Sequence, residues 1–321
     1  MILNRRLALG ATLAATAAPF ISSTQAQQAP VPVGQVTSYY RYRVGDIEVT
    51  AINDGTFSRP LDGLISNAPL PEVKKALIDA FLPDDKLTIP FTSLVLRTSG
   101  KLVLIDAGNG DNGPATTGAW MRNFRAAGFD PAEVDQVVFS HFHSDHISGS
   151  RLKDGTAVFP RAELAVPAAE WAFWMDDTRM AAAPEALKGA FANVRRVLGP
   201  VAGAVKRFEW DREVAPGVTA INAVGHTPGH TAFAITSGAG RMLVLSDTAN
   251  HPALFVRNPD WSGVFDMDGD QARSTRRRLL DMAAADRMQV AFYHAPFPAT
   301  GFIAREGNTF RMVPVDWQPA G

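Results

Sequence analysis

Apolar and polar residues alternate with the period of a half-buried strand over Tyr40-Arg41-Tyr42-Arg43-Val44 and again over residues 47–52, with Gly45-Asp46 as the turn between. Asn53-Asp54-Gly55 marks a further turn. Residues 58–90 are proline-rich and read as irregular, apart from a helical stretch near residues 71–81. Residues 92–98 and 102–106 predict a strand pair about Ser99-Gly100, residues 119–127 a helix, and residues 134–139 a short β-branched strand. Residues 158–166 are again strand-like. Helices are expected over residues 167–175 and 184–198, strands over 205–222 and 231–246, a strong helix over 271–285 and a buried strand over 288–292. The arginines of that last helix, Arg273 and Arg276 to Arg278, read as a solvated face. Strands thus come in two runs with helices between and after them. The pattern fits an α/β fold in one domain, two sheets packed face to face with helices outside.

Ahead of this body, Asn4-Arg5-Arg6 supplies a basic region, residues 7–21 are apolar and alanine-rich, and Thr24 and Ala26 are small residues suited to a signal-peptidase cut after Ala26. The run is too short for a good transmembrane helix. Residues 1–26 are therefore expected to be an export signal, 27–36 a flexible segment and 37–321 the folded domain, with no membrane anchoring once the signal is removed. The paired arginines fit a twin-arginine signal, and a general secretory signal fits equally. Either route gives a periplasmic or secreted protein.

The net charge of −1 and pI of about 6.7 give no electrostatic case for nucleic acid as a partner. The chain has no cysteine, which excludes disulfides, thiolate-bound zinc and cysteine nucleophiles. Any metal must be held by His, Asp and Glu. Three of the seven histidines stand in His141-Phe142-His143-Ser144-Asp145-His146. Such a density of imidazole and carboxylate has one common use, the binding of first-row metal ions, here at two adjacent points. Gly225-His226-Thr227-Pro228-Gly229-His230 can aim a histidine back through a tight turn. Leu243-Val244-Leu245-Ser246-Asp247 and Tyr293-His294 end apolar strands in further ligand types.

Together these motifs resemble the metallo-β-lactamase-fold hydrolase superfamily over residues 39–317, and Leu104-Ile105-Asp106-Ala107-Gly108 matches another of its elements. Tyr39-Tyr40-Arg41, Gly45-Asp46-Ile47-Glu48-Val49-Thr50-Ala51 and Phe310-Arg311-Met312-Val313-Pro314-Val315 are similar to the methyl-parathion-hydrolase-like branch, which includes aryl-lactone hydrolases. The resemblance implies an αββα sandwich of two mixed β-sheets flanked by helices, and two divalent metal ions, with Zn2+ the default and Mn2+, Fe2+ or Co2+ as alternatives. His141, His143 and His230 would bind one, Asp145, His146 and His294 the other, and Asp247 would bridge them. It also implies catalysis by a metal-bridging hydroxide, with Asp145 and Asp247 as catalytic carboxylates. Asp106 and His226 would stand behind the ligands and orient them. His251 has no counterpart and reads as a surface or turn histidine, with a place facing the substrate as the alternative. Asp266-Met267-Asp268-Gly269-Asp270 lacks the full spacing of a calcium loop, and helix capping by Asp268 or Asp270 is the better account.

Trp171, Phe173 and Trp174, with Trp120 and Phe191, are candidates for an aromatic substrate pocket, Trp174 foremost because it matches a pocket position of that branch. Asn112 stands where the organophosphate hydrolase has an aromatic residue, and Ser144 replaces a proline. The expected activity is cleavage of lactones or aryl esters, small ester-like molecules, with organophosphate triesters as a main or side activity. β-Lactam hydrolysis, thioester or sulfur-redox chemistry, and a binding protein with structural metals are the competing readings. A homodimer is left open.

Overall fold

The alternation at the start of the body becomes the edge of a seven-stranded sheet. In the computed structural model, which describes residues 36–317, this sheet consists of β1 (Tyr39–Val44), β2 (Ile47–Pro60), β3 (Lys86–Thr98), β4 (Lys101–Ile105), β5 (Gln136–Val138), β6 (Glu163–Pro167) and β7 (Lys206–Phe208), in that spatial order. The pairings up to β3–β4 are antiparallel and those from β4–β5 onward parallel. A second seven-stranded sheet holds β8 (Glu213–Ala215), β9 (Val218–Asn222), β10 (Thr231–Ser237), β11 (Gly240–Ser246), β12 (Gln289–Phe292), β13 (Thr300–Glu306) and β14 (Thr309–Pro314), in the reverse spatial order. Its β11–β12 pair is parallel and the rest antiparallel. The expected export signal and nearly all of the segment after it lie outside the described residues.

Strand β4 explains the layering. Val103 and Ile105 point into a core shared with Val218, Phe233 and Val244 of the second sheet. Leu102 and Leu104 point the other way, onto Phe124, Trp174 and Val194 of the helices Trp120–Ala126, Ala168–Trp174 and Glu185–Leu198. A strand covered on both faces must be apolar at every position, which is why Leu102-Val103-Leu104-Ile105 does not alternate. The outer face of the second sheet is covered by Val73 and Leu77 of helix Leu70–Asp79 and by Leu279, Leu280 and Ala283 of helix Gly269–Ala285. The expected αββα sandwich of mixed sheets is the fold observed.

Three local expectations are corrected. Asn53-Asp54-Gly55 is not a turn. The register of β2 against β3 shifts between Asn53 and Gly55, so the strand continues through a bulge. Gly55 sits at φ +112, and a Cβ there would lie 2.2 Å from the Thr116 carbonyl oxygen. The bulge turns Asp54 inward, where it accepts from the Asn109 and Trp120 amides at 2.7 and 2.8 Å. Second, the hairpin of β2 and β3 reaches out to Pro60 and Lys86, into the stretch expected to be irregular. Pro60 ends its strand and can sit there without a lost ladder bond, so proline content misleads.

Third, Arg276 is not on a solvated face. The apolar stripe Ala272, Thr275, Leu279, Leu280, Ala283 carries Arg276 inward with it, leaving it 1% exposed. Its guanidinium donates to the carbonyls of Thr248 (2.7 Å), Pro259 (3.0 Å) and Trp261 (2.5 Å) and to Asp266 Oδ2 (3.2 Å). Arg278 keeps the expected exposed character, and Arg273 and Arg277 are half-buried. The cap expectation holds, since Asp268 accepts from the Gln271 amide at 3.0 Å.

Removing one partner of a buried, fully bonded ion pair leaves the other uncompensated. Arg276→Ala should therefore lower unfolding free energy by about 3–5 kcal/mol in urea titrations. Arg277→Ala, which breaks a surface pair with Asp260, should cost under about 1 kcal/mol. Equal small losses for both would contradict the buried role of Arg276.

Candidate metal centre

Chemistry collects where strands of both sheets end. β4 runs into Asp106, β5 into His141, β9 into the loop carrying His226 and His230, β11 into Asp247, and β12 into His294. The one-turn helix Ser144–Ile147 presents Asp145 and His146. Two junctions hold left-handed backbone at non-glycine residues, Asp106 at φ +62 and Ser246 at φ +47. Strain of this kind persists only where the surroundings over-determine it.

Two groups of ligand atoms result. His141, His143, His226 and Asp247 offer atoms that all lie within 4.8 Å of one another, and so do those of Asp145, His146 and His294. Asp247 joins the groups. Its Oδ2 is 2.9 Å from His294 Nε2 and 3.4 Å from His226 Nε2, while Oδ1 is 3.3 Å from His146 Nε2.

The outer ring nitrogens say which histidines can bind. His146 Nδ1 donates to Asp106 Oδ2 at 2.8 Å, His226 Nδ1 to Asp266 Oδ1 at 3.0 Å and His294 Nδ1 to the Pro90 carbonyl at 2.9 Å. His141 Nδ1 lies 3.0 Å from Ser140 Oγ, which itself donates to Asp106 Oδ2 at 2.8 Å. A proton fixed on the outer nitrogen leaves a lone pair on the inner one, the arrangement of ligating imidazoles. Inside the cluster His141 Nε2, His146 Nε2 and Asp247 Oδ1 are buried and form no hydrogen bond. His226 Nε2 and His143 Nδ1 face each other at 2.9 Å.

His230 is different, and here the sequence expectation is corrected. Its Nδ1 donates to the Ala223 carbonyl at 2.9 Å, and its Nε2 accepts the Asp247 amide at 3.1 Å. The Nδ1 proton and the single Nε2 lone pair are both engaged by backbone groups, so His230 positions the Asp247 backbone and stands in neither ligand group. His226, expected only to orient, is the histidine of Gly225–His230 whose ring nitrogen lies with those of His141 and His143 and the Asp247 carboxylate.

Electrostatics fit a cationic occupant. Burial, reinforced by His146 and His143, holds the His141 imidazole well below its usual range, and burial with His226 puts His143 at about 3. Both present neutral lone pairs, as ligation requires. Burial would raise the two carboxylates, but the histidines outweigh it: His294 and His146 hold Asp247 well below the carboxylate range, and His146 and His294 hold Asp145 at about 2. His146 and His294 are raised despite burial by those same carboxylates. Buried anions this close demand positive charge, and the converging lone pairs suit metal ions. Asp145 stays ionised, which favours ligation over proton donation.

The aromatic candidates are corrected as well. Trp174 is fully buried, donates Nε1 to Glu170 Oε1 at 2.7 Å and packs on Phe191 with ring centroids 4.7 Å apart. Phe191 and Trp171 are core residues too, Trp171 lying under the Arg207 guanidinium at 4.6 Å. These rings fill the layer between helices and sheet because amphipathic helices bury aromatic stripes there first. Trp120 stacks on Phe124 in the same layer. Asn112 is half-buried, with Nδ2 3.4 Å from Ser148 Oγ. Rings that do approach the ligands include Tyr293, 3.8 Å from His146, Phe91, 5.3 Å from His294, and Phe265, 5.7 Å from His226. His251 is buried and caps the helix Pro252–Phe255 through Nδ1; burial and His294 lower it to about 4. Sequence reading missed Asp266 and Glu170, both far in sequence from the side chains and loops they hold.

Residues 90–294 match the sequence profile of the Metallo-beta-lactamase superfamily. An N-acyl homoserine lactonase of Bacillus sp is 23% identical over 232 residues, spanning 66% of this chain and 84% of that protein. Among solved structures, AidC, a dizinc quorum-quenching lactonase in complex with a product, superposes with a TM-score of 0.83 at 25% identity, over 88% of this chain and 98% of that one. The hydrolase AbOPH superposes with a TM-score of 0.84 at 25% identity, over 89% of this chain and all of that one.

His226→Ala should remove a ligand, so elemental analysis of the purified variant should find about one metal fewer per chain. His230→Ala should keep both metals after saturation and weaken their retention by about ten- to hundredfold in chelator competition, as expected for a residue behind the ligands. The opposite order of metal loss would return the ligand role to His230.

Proposed function

The chain belongs to the metallo-beta-lactamase superfamily and is a metal-dependent hydrolase, and we propose that its substrates are lactones, opened at a dinuclear zinc site. Supporting the dinuclear reading is one observation above all: Asp247 faces both ligand groups at once, with Oδ1 toward His146 and Oδ2 toward His226 and His294. His141, His143 and His226 would hold one ion, and Asp145, His146 and His294 the other. Zinc suits so nitrogen-rich a set. When bound, two such ions lower the pKa of water and polarise a carbonyl or phosphoryl oxygen.

The chain's own groups do the rest. Asp106 and Asp266 bond to the outer nitrogens of His146 and His226 and so aim the inner nitrogens at the centre. His230 holds the Asp247 backbone amide. Asp145, with a side chain 19% exposed, is more open than Asp247 at 3% and stands on the solvent side of the centre. Half-buried Phe265 lies 5.7 Å from His226, and Val264 (48% exposed) and Phe297 (37% exposed), each close in sequence to a group residue or its support, add exposed apolar surface. We assign them the part expected of Trp174, contact with the acyl or aryl portion of a lactone. The lactonase relatives favour this substrate class. Aryl esters and organophosphate triesters are further proposed substrates. Export through the signal read at residues 1–26 is likewise a proposal, checked by N-terminal sequencing of periplasmic protein.

A panel of N-acyl homoserine lactones, aryl lactones, aryl esters, paraoxon and nitrocefin, run on metal-analysed protein, tests the reading. Lactones should give the highest kcat/KM, and strong chelators should abolish turnover. Phe265→Ala should lower kcat/KM for long-acyl or aryl lactones by roughly tenfold, the worth of about 1.5 kcal/mol of buried ring surface, with metal content unchanged. Turnover of nitrocefin with no lactone opening would overturn the proposal.

A further inference from the structure

Glu170 lies in the first turn of helix Ala168–Trp174 and is entirely buried, yet among the described residues no cationic side chain bonds to it. Its carboxylate is saturated by neutral donors. Oε1 accepts the Phe142 amide at 3.0 Å and Trp174 Nε1 at 2.7 Å; Oε2 accepts Thr227 Oγ1 at 2.9 Å and the Gly229 amide at 2.7 Å. Phe142 is the residue between His141 and His143. Thr227 and Gly229 flank the turn that joins His226 to His230. One carboxylate therefore ties together the backbones of the two loops that supply the histidines of the first ligand group. The contact is close: a Cβ on Gly229 would lie 2.1 Å from the Glu170 nitrogen, so the turn needs glycine to seat on the helix start.

The second group is held by other means. His146 bonds to Asp106, His294 to the Pro90 carbonyl, and the Asp145 carbonyl accepts from Tyr293 Oη at 2.6 Å. Nothing in that set reaches Glu170.

We propose that Glu170 is a positioning residue for the first metal site alone, a clasp that sets the spacing of His141 and His143 from His226. The inference rests on the dinuclear reading above. Its chemistry is specific to a carboxylate, since all four partners are donors and only a group without N–H or O–H can accept from every one. Glutamine has the same shape but must turn its amide N–H toward one pair of donors, which loosens one loop.

The test is metal competition on the full chain with a chromophoric chelator, which resolves a dissociation constant for each site, with His226→Ala and His294→Ala as single-site references. In E170Q one constant, that of the site lost in His226→Ala, should weaken by about ten- to hundredfold, and the other should stay within about threefold. Trp174→Phe removes one donor and keeps the carboxylate, and should leave both constants within about threefold. If E170Q does not fold, Thr227→Val, which deletes a single donor to Oε2, should weaken the same site in the same direction. Unchanged constants in wild type and variant alike, or equal weakening of both sites, would overturn the clasp while leaving the dinuclear centre standing. A wild-type chain that binds fewer than two metals would overturn both.

Discussion

The structure is organised around a buried negative charge. Asp247 sits at the end of β11, 3% exposed, with histidines on both sides of its carboxylate. An isolated carboxylate in such a place would be neutralised by a rise in its pKa. Here the surrounding imidazoles push the other way and keep it ionised. Every ligand must then lie close enough to share that charge, and this distance requirement is what draws strand ends of both sheets to one point. The sandwich supplies strand ends rigid enough to meet it, because each is buried on both faces.

Behind the ligands stands a second set of carboxylates. Asp106 holds His146 and, through Ser140, His141; Asp266 holds His226 and is itself held by Arg276; Asp54 secures the Asn109 and Trp120 backbones. Each is buried and each is saturated by donors. A fully satisfied buried carboxylate is costly to assemble but admits few alternative geometries. Arg276 shows how far the network extends. One long helix carries a guanidinium inward to bind three carbonyls and Asp266, so the orientation of a ligand imidazole depends on packing at the outer face of the second sheet.

What the sequence made legible follows from how local each signal is. The ligand types were readable because His141–His146 is contiguous and because Asp247 and His294 close apolar strands. The layered fold followed from two runs of strands separated by helices. The different placing of His226 and His230 was not readable, since both histidines stand in one six-residue motif and the choice depends on where the Ala223 carbonyl and the Asp247 amide fall in space. Trp174 failed for a related reason. Proximity in sequence to the metal loop does not say which side of the sheet a helix residue faces, and the helix turns that indole into the core. Arg276 and the bulge at Asn53–Gly55 were overridden by tertiary context that propensity does not contain.

Several departures from local rules adjoin the centre. Left-handed backbone at Asp106 and Ser246, glycines that admit no Cβ at positions 55 and 229, and a buried carboxylate at Glu170 held by neutral donors stand at the ligand loops or the elements that support them. The apolar cores on either side hold these features in place. A site with buried anions, converging lone pairs and strained junctions is poorly satisfied by protein alone. Occupation by cations would relieve the repulsion between lone pairs and complete the orphan nitrogens of His141 and His146. Ligation would draw on lone pairs that the fold has already brought together, so little reorganisation of the ligand loops would oppose it.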